Sequence, residues 1–186
     1  MKKKKVHELV PLKGKIKLEI YDEEGRLKDF HIQENTFMDT GDAHVADQLD
    51  VSPDEAGMGW MAIGTSATAF TTGATTLGSQ LDRNALSANY PDQLSGADDN
   101  DVVYKATWAA ADGTGAITEA GVFNSSGAGT MLCGATFPVI NKGAADKNLS
   151  ALGVILNEKL FKFGENLDKI FKTIPSQAAC AEGVTT

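Results

Sequence analysis

The chain has 186 residues, 42% of them hydrophobic, enough for one domain with its own core and too apolar for a wholly disordered protein. Its net charge of −8 is uneven: residues 1–28 carry nine basic and five acidic side chains, residues 29–150 four and 16, and residues 151–186 four of each. So acidic a middle block is repelled by phosphate backbones, which argues against nucleic acid as a main partner.

In chain order, MKKKK opens a basic arm over residues 1–13, and VHELVPLKGK after it holds no apolar run of signal-peptide length, so no secretion signal is expected. KGKIKLEIYDEEGRLKDFHIQENTF predicts a β-hairpin. Ile16, Leu18 and Ile20 alternate with polar residues, DEEG turns the chain, and Leu27, Phe30 and Ile32 mark the returning strand. From Asp39 the pattern changes, and Thr40 or Asp42 is placed to cap a short helix through HVADQL with Val45 and Leu49 on one face. WMAIGTSATAF reads as a strand entering a Thr/Ser/Gly loop. Residues 75–87, TTLGSQLDRNALS, fit a short helix or turn with Leu77, Leu81 and Leu86 inward, and YPDQLSGADDND is a polar loop. DVVYKATWAA, AITEAGVF and TMLCGATFPVI are three strands joined by ADGTG and NSSGAG, which predicts a β-meander. Leu156, Leu160, Phe163, Leu167, Ile170 and Ile174 then recur at steps of three and four, predicting an amphipathic helix from about residue 152 to 174 that Pro175 stops. The resulting division is 1–13 arm, 14–150 β-rich domain, 151–175 helical segment and 176–186 loose tail. The expected class is mainly β (α+β), an antiparallel sandwich or barrel with one or two short helices and the C-terminal helix.

Candidate chemistry is sparse. GMGWMA at 57–62 matches a dinucleotide fingerprint on paper but follows a loop and opens a strand, the reverse of what pyrophosphate binding requires. Asp98 to Asp101 form an acidic cluster without the alternate spacing, central glycine and closing Glu of a calcium loop; a solvated loop is the plainer reading. His7, His31 and His44 share no metal-ligand spacing, and GTSAT is not a nucleophile elbow. Cys133 and Cys180 form neither CxxC nor a zinc pattern. No enzyme, cofactor or metal is expected. No stretch approaches the roughly 18 apolar residues of a spanning helix, which predicts a soluble protein without a membrane partner.

ITEAGVFNSSG places one acid, Glu119, in a strand. Simple alternation puts it on the side of Ile117, whereas Gly121 permits a bulge that lets Glu119 reach the sheet rim. Glu119, Gly121 and Asn124 are therefore read as strand-and-turn residues, with Glu119 holding a loop through backbone hydrogen bonds. Lys2, Lys3, Lys4 and Lys5 suit either a hydrated terminus or an arm that orders on a partner. Leu156, Leu160, Phe163 and Leu167 suit packing on the same domain or self-association; the mixed charges opposite them argue against a membrane surface.

The order GT…TTLG…L.R, then ITEAG.F, then TF..INK, over about residues 14–150, resembles small structural proteins of tailed bacteriophages. Head-decoration (capsid cement) proteins and the N-terminal attachment domains of tail fibres are the nearest parallels. The resemblance implies a virion protein without catalysis, assembled in the host cytoplasm. It would dock on the outside of the major capsid protein lattice as a homo-oligomer, expected to be a trimer. A tail or baseplate component that anchors a fibre is the alternative, and a carbohydrate- or calcium-binding β-domain using Trp60, Trp108 and the Asp98–Asp101 loop is a second. The resemblance also implies a further apolar strand after INK…LS. Either Leu152 to Leu156 supply it or the sheet closes differently.

Overall fold

A computed structural model describes residues 12–94 and 101–156. Strands β1 (Lys13–Tyr21), β2 (Leu27–Glu34) and β3 (Thr36–Phe37) precede the helix α1 (Asp39–Gln48). β4 (Trp60–Gly64), β5 (Gln80–Ala85), β6 (Asp92–Gln93), β7 (Val102–Ala109), β8 (Gly115–Phe123), β9 (Met131–Lys142) and β10 (Asn148–Leu156) follow. They form two five-stranded sheets, β2-β1-β10-β7-β6 (sheet A) and β3-β9-β8-β4-β5 (sheet B), with every pairing antiparallel. The mainly β, sandwich-like α+β class expected from the sequence is the class observed. Among the described residues, no helix is long and apolar enough to cross a membrane.

The first hairpin forms where alternation places it. Ile16, Leu18 and Ile20 are fully buried, and each such side chain contributes roughly 2 kcal/mol on burial. The turn closes on Asp22, whose carboxylate accepts the Arg26 N–H and Nε–H at 2.8 Å, while Gly25 supplies a φ of +78°. Across the inter-sheet core, Trp108 of β7 and Leu149 of β10 meet Ile63 of β4 and Val122 of β8.

Four expectations need correction. The three strands after residue 101 are not a meander, because β7 lies in sheet A while β8 and β9 lie in sheet B. ADGTG carries the chain from one sheet to the other, and residues 143–147 carry it back. These two crossings are stitched together: Ala111 N–H donates to Ala144 O at 3.1 Å, and the buried Lys142 Nζ donates to Ala109 O at 2.9 Å. Residues 80–85 are a strand rather than a helix or turn, since their backbone pairs with β4 from Trp60↔Ala85 to Gly64↔Gln80 and pairing overrides the leucine spacing. Leu81 is consequently 39% exposed, not inward.

Residues 151–156 belong to β10, not to a helix, and they sit between β1 and β7 in the middle of sheet A. Leu152 and Leu156 are four apart, a step that fits both a helical face and a strand face, so periodicity alone could not separate them. The remainder of the predicted helix, 157–174, lies outside the described residues. Finally, α1 starts at Asp39, ahead of the expected caps, with Met38 at the N-cap and no side-chain cap bond. The Asp39 N–H instead donates to Thr72 O at 2.8 Å, so a distant loop satisfies the helix start, and Asp39 and Asp42 complement its dipole. Leu49, expected on the packed face with Val45, is largely exposed at the C-cap, while Val45 packs on the core.

Candidate functional site

β8 and β9 slip past each other twice. Between Ile117 and Glu119 the partner strand advances from Ile140 to Thr136, and between Val122 and Phe123 it advances from Cys133 to Met131. Pro138 falls inside the first slip, a position that tolerates a residue without an N–H. The irregularity changes which residues face which way. Ile117 belongs to the inter-sheet core together with Ala120 and Val122, whereas Phe123 belongs to a second cluster with Met38, Ala62, Leu77 and Met131. The expected bulge at Gly121 is thus displaced to either side of it, and Glu119 does not reach the rim: it is 1% exposed.

Residues 65–79 cover Glu119. Its Oε1 accepts the N–H groups of Ser66 at 3.1 Å and Ser79 at 2.8 Å, and its Oε2 accepts that of Gly78 at 2.9 Å. A buried carboxylate is tolerated only when its lone pairs are occupied, and here backbone donors occupy three of them. Gly64 and Gly78 make the approach possible: a Cβ on Gly64 would overlap Glu119 and come within 2.5 Å of Ser79 O, and one on Gly78 would meet Ser66 Oγ at 2.6 Å. Further along, Thr136 Oγ1 donates to Thr68 O at 3.2 Å, and Phe70, Ala74 and Leu77 pack into the second cluster. The loop is a third layer laid on sheet B and fastened at Glu119.

Arg83 fastens the adjoining hairpin. Its guanidinium lies 3.7 Å from the centroid of the Phe123 ring, and Nη1 donates to Ser125 O at 2.9 Å and Gly127 O at 2.5 Å. Asn124 closes the same hairpin by accepting the Thr130 N–H at 2.7 Å, and its Nδ2 donates to Glu55 at 3.0 Å. Glu55 also meets the buried His44 Nδ1 at 3.0 Å. Hydrogen bonds from Thr130 and His44 hold the Glu55 carboxyl below its ordinary range. Asp47 ties the loop after α1 by accepting the N–H groups of Asp54 at 3.0 Å and Glu55 at 3.1 Å. At Gly121 a Cβ would meet Met131 Cε at 2.7 Å, so the glycine there serves close packing.

Sequence reasoning singled out neither His44 with Glu55 nor the Lys28–Asp146 ion pair at 2.8 Å. These partners lie 11 and 118 residues apart, at no spacing that a helix or strand makes local. Arg83 appeared only as the last letter of the L.R pattern, without a role. Lys2 to Lys5, Leu160, Phe163, Leu167 and Asp98 to Asn100 lie outside the described residues. Leu156 ends β10 opposite Lys13. Trp108 is fully buried in the core, which removes it from a carbohydrate-stacking surface, and Trp60 is half-buried against the second cluster. Among the described residues, no group of three or more His, Cys, Asp or Glu could hold a metal ion. The chain matches no family model, no curated protein and no solved structure.

Proposed function

We propose that the chain is a structural protein of a tailed-bacteriophage virion, a decoration protein that binds the outside of the major capsid lattice as a homo-oligomer and stabilises the head without catalysis. The observation that carries this reading is the use made of Glu119. The acid at the centre of the ITEAG.F segment, on which the resemblance rests, is committed to three backbone donors and holds a loop. Two residues of the GT…TTLG…L.R pattern, Gly64 and Gly78, stand directly against it. Gly64 and Gly78 give it room, Leu77 seals the layer, and Arg83 pins the next hairpin. Polar groups committed in this way to holding the fold support a structural rather than a catalytic role.

The test is to mix purified protein with undecorated heads and image them. Added density at the capsomer junctions supports the proposal; bare heads, or binding to tails alone, overturn it in favour of a tail or baseplate component.

A further inference from the structure

β2 is an edge strand of sheet A: beyond β1 it approaches β9, but among the described residues it pairs with no strand there. Leu27–Glu34 contain no proline, and all but His31 are exposed, with Leu27, Phe30 and Ile32 at 49, 51 and 53%. Exposed edges are ordinarily blunted by a projecting lysine, a proline or a central bulge. Here the only lysine, Lys28, is drawn into its ion pair with Asp146, and the irregularity sits at the turn end, beside Tyr21. Residues 29–34 pair regularly with β1, and among the described residues no strand pairs with their other edge.

The ladder fixes which groups face outwards. The Asn35 N–H donates to Gly14 O at 3.0 Å, so antiparallel alternation turns the N–H and C=O of Phe30, Ile32 and Glu34 away from β1. In agreement, the Phe30 N–H is held by the Asp29 carboxylate at 2.8 Å and not by β1. The same three residues stand opposite Glu19, Lys17 and Lys15, on the outer face of sheet A, because Ile16, Leu18 and Ile20 occupy the core face.

We propose that β2 pairs antiparallel with β2 of a second copy of this chain about a two-fold axis at His31, joining two five-stranded sheets into one. Self-complementarity selects this occupant and this register. With the axis at His31, Phe30 lies opposite Ile32 of the second copy, twice, within the stretch that pairs regularly with β1. An axis at Ile32 would set Glu34 against Phe30, and an axis at Phe30 would set Lys28 against Ile32. An axis between residues would oppose outward groups to inward ones and lose the ladder. On pairing, the Phe30 N–H passes from Asp29 to the Ile32 carbonyl of the second copy. The contact is isologous, separate from any threefold contact, and does not depend on the capsid reading.

Light scattering on the full chain over a concentration series should show a dimer. Phe30→Lys with Ile32→Lys should raise its dissociation constant at least about tenfold through like-charge juxtaposition, with the far-ultraviolet spectrum unchanged. Register is tested independently by His31→Cys in a Cys180→Ser background. At the axis the two Cα atoms would be about 4.5 Å apart, within disulfide reach, so oxidation should link the copies, whereas Asp29→Cys should not. A monomer at every concentration without cross-linking overturns the proposal. So does an oligomer that the two lysines leave intact, or equal cross-linking from positions 29 and 31.

Discussion

Removing Glu119 should show what a saturated buried carboxylate contributes. Glu119→Ala leaves the N–H groups of Ser66, Gly78 and Ser79 without their acceptor beneath a loop whose outer side meets water. The expected loss is about 1–3 kcal/mol, read from urea unfolding, because three charge-assisted hydrogen bonds to a buried carboxylate disappear while water reaches part of the freed loop. A loss below about 0.5 kcal/mol would mean that apolar packing alone holds residues 65–79. Asp146 offers a test by pH. The Lys28 ammonium at 2.8 Å, with the Gly143 N–H at 2.7 Å, holds its carboxyl below the ordinary 3.8. Its folded pKa is depressed, so its contribution is present above about pH 4 and disappears as pH falls through the folded value. Asp146→Asn should therefore destabilise the protein at pH 7 and differ less from the parent at pH 3 in the same unfolding measurement.

Among elements, the 65–79 loop behaves as a layer because two glycines let its backbone meet Glu119 closely. Gly64→Ala should cost roughly 1–3 kcal/mol, since its Cβ would displace Ser79 O or the carboxylate itself. Gly73 in the same loop has open space where a Cβ would go, and Gly73→Ala should change the melting temperature little. Equal effects at both positions would mean that loop entropy, not close approach, sets the requirement. The slips in β8 and β9 act at the same scale. Pairing Ile117 with Ile140 but Glu119 with Thr136 lets one nine-residue strand feed the inter-sheet core at Ile117 and the outer layer at Phe123.

For the whole molecule, the decisive element is β10. It is the central strand of sheet A, paired with β1 from Asn148↔Tyr21 to Leu156↔Lys13 and with β7 from Asn148↔Ala109 to Ile155↔Val102. A chain ending at Leu156 should retain a cooperative thermal transition by circular dichroism. One ending at Ser150 should lose it, because the ends of β1 and β7 would then face a gap. A cooperative fold in the shorter chain would show that residues 151–156 are dispensable and that 14–150 is a complete domain. Contacts between distant segments dominate this topology, since the first strand pairs with the last one described, so the sandwich forms only after long loops close.

Much of the β architecture was legible locally. Alternation at Ile16, Leu18 and Ile20, the DEEG turn and the NSSG hairpin each depend on neighbours in the chain, and the structure places them as the pattern predicts. The sequence by itself determined that this is a mainly β domain, where its first hairpin lies and that Glu119 stands within a strand. Tertiary structure alone decided that β7 and β8 part into different sheets, that residues 80–85 are a strand, which of the two readings of Leu152 to Leu156, strand or helix, holds, and that α1 is capped by Thr72. It also decided which face of β8 carries Glu119. The reason is physical: a period of two or of 3.6 records which residues share a face. Sheet membership, a borrowed cap and a slipped register depend on backbone partners tens of residues away, of which local periodicity carries no trace.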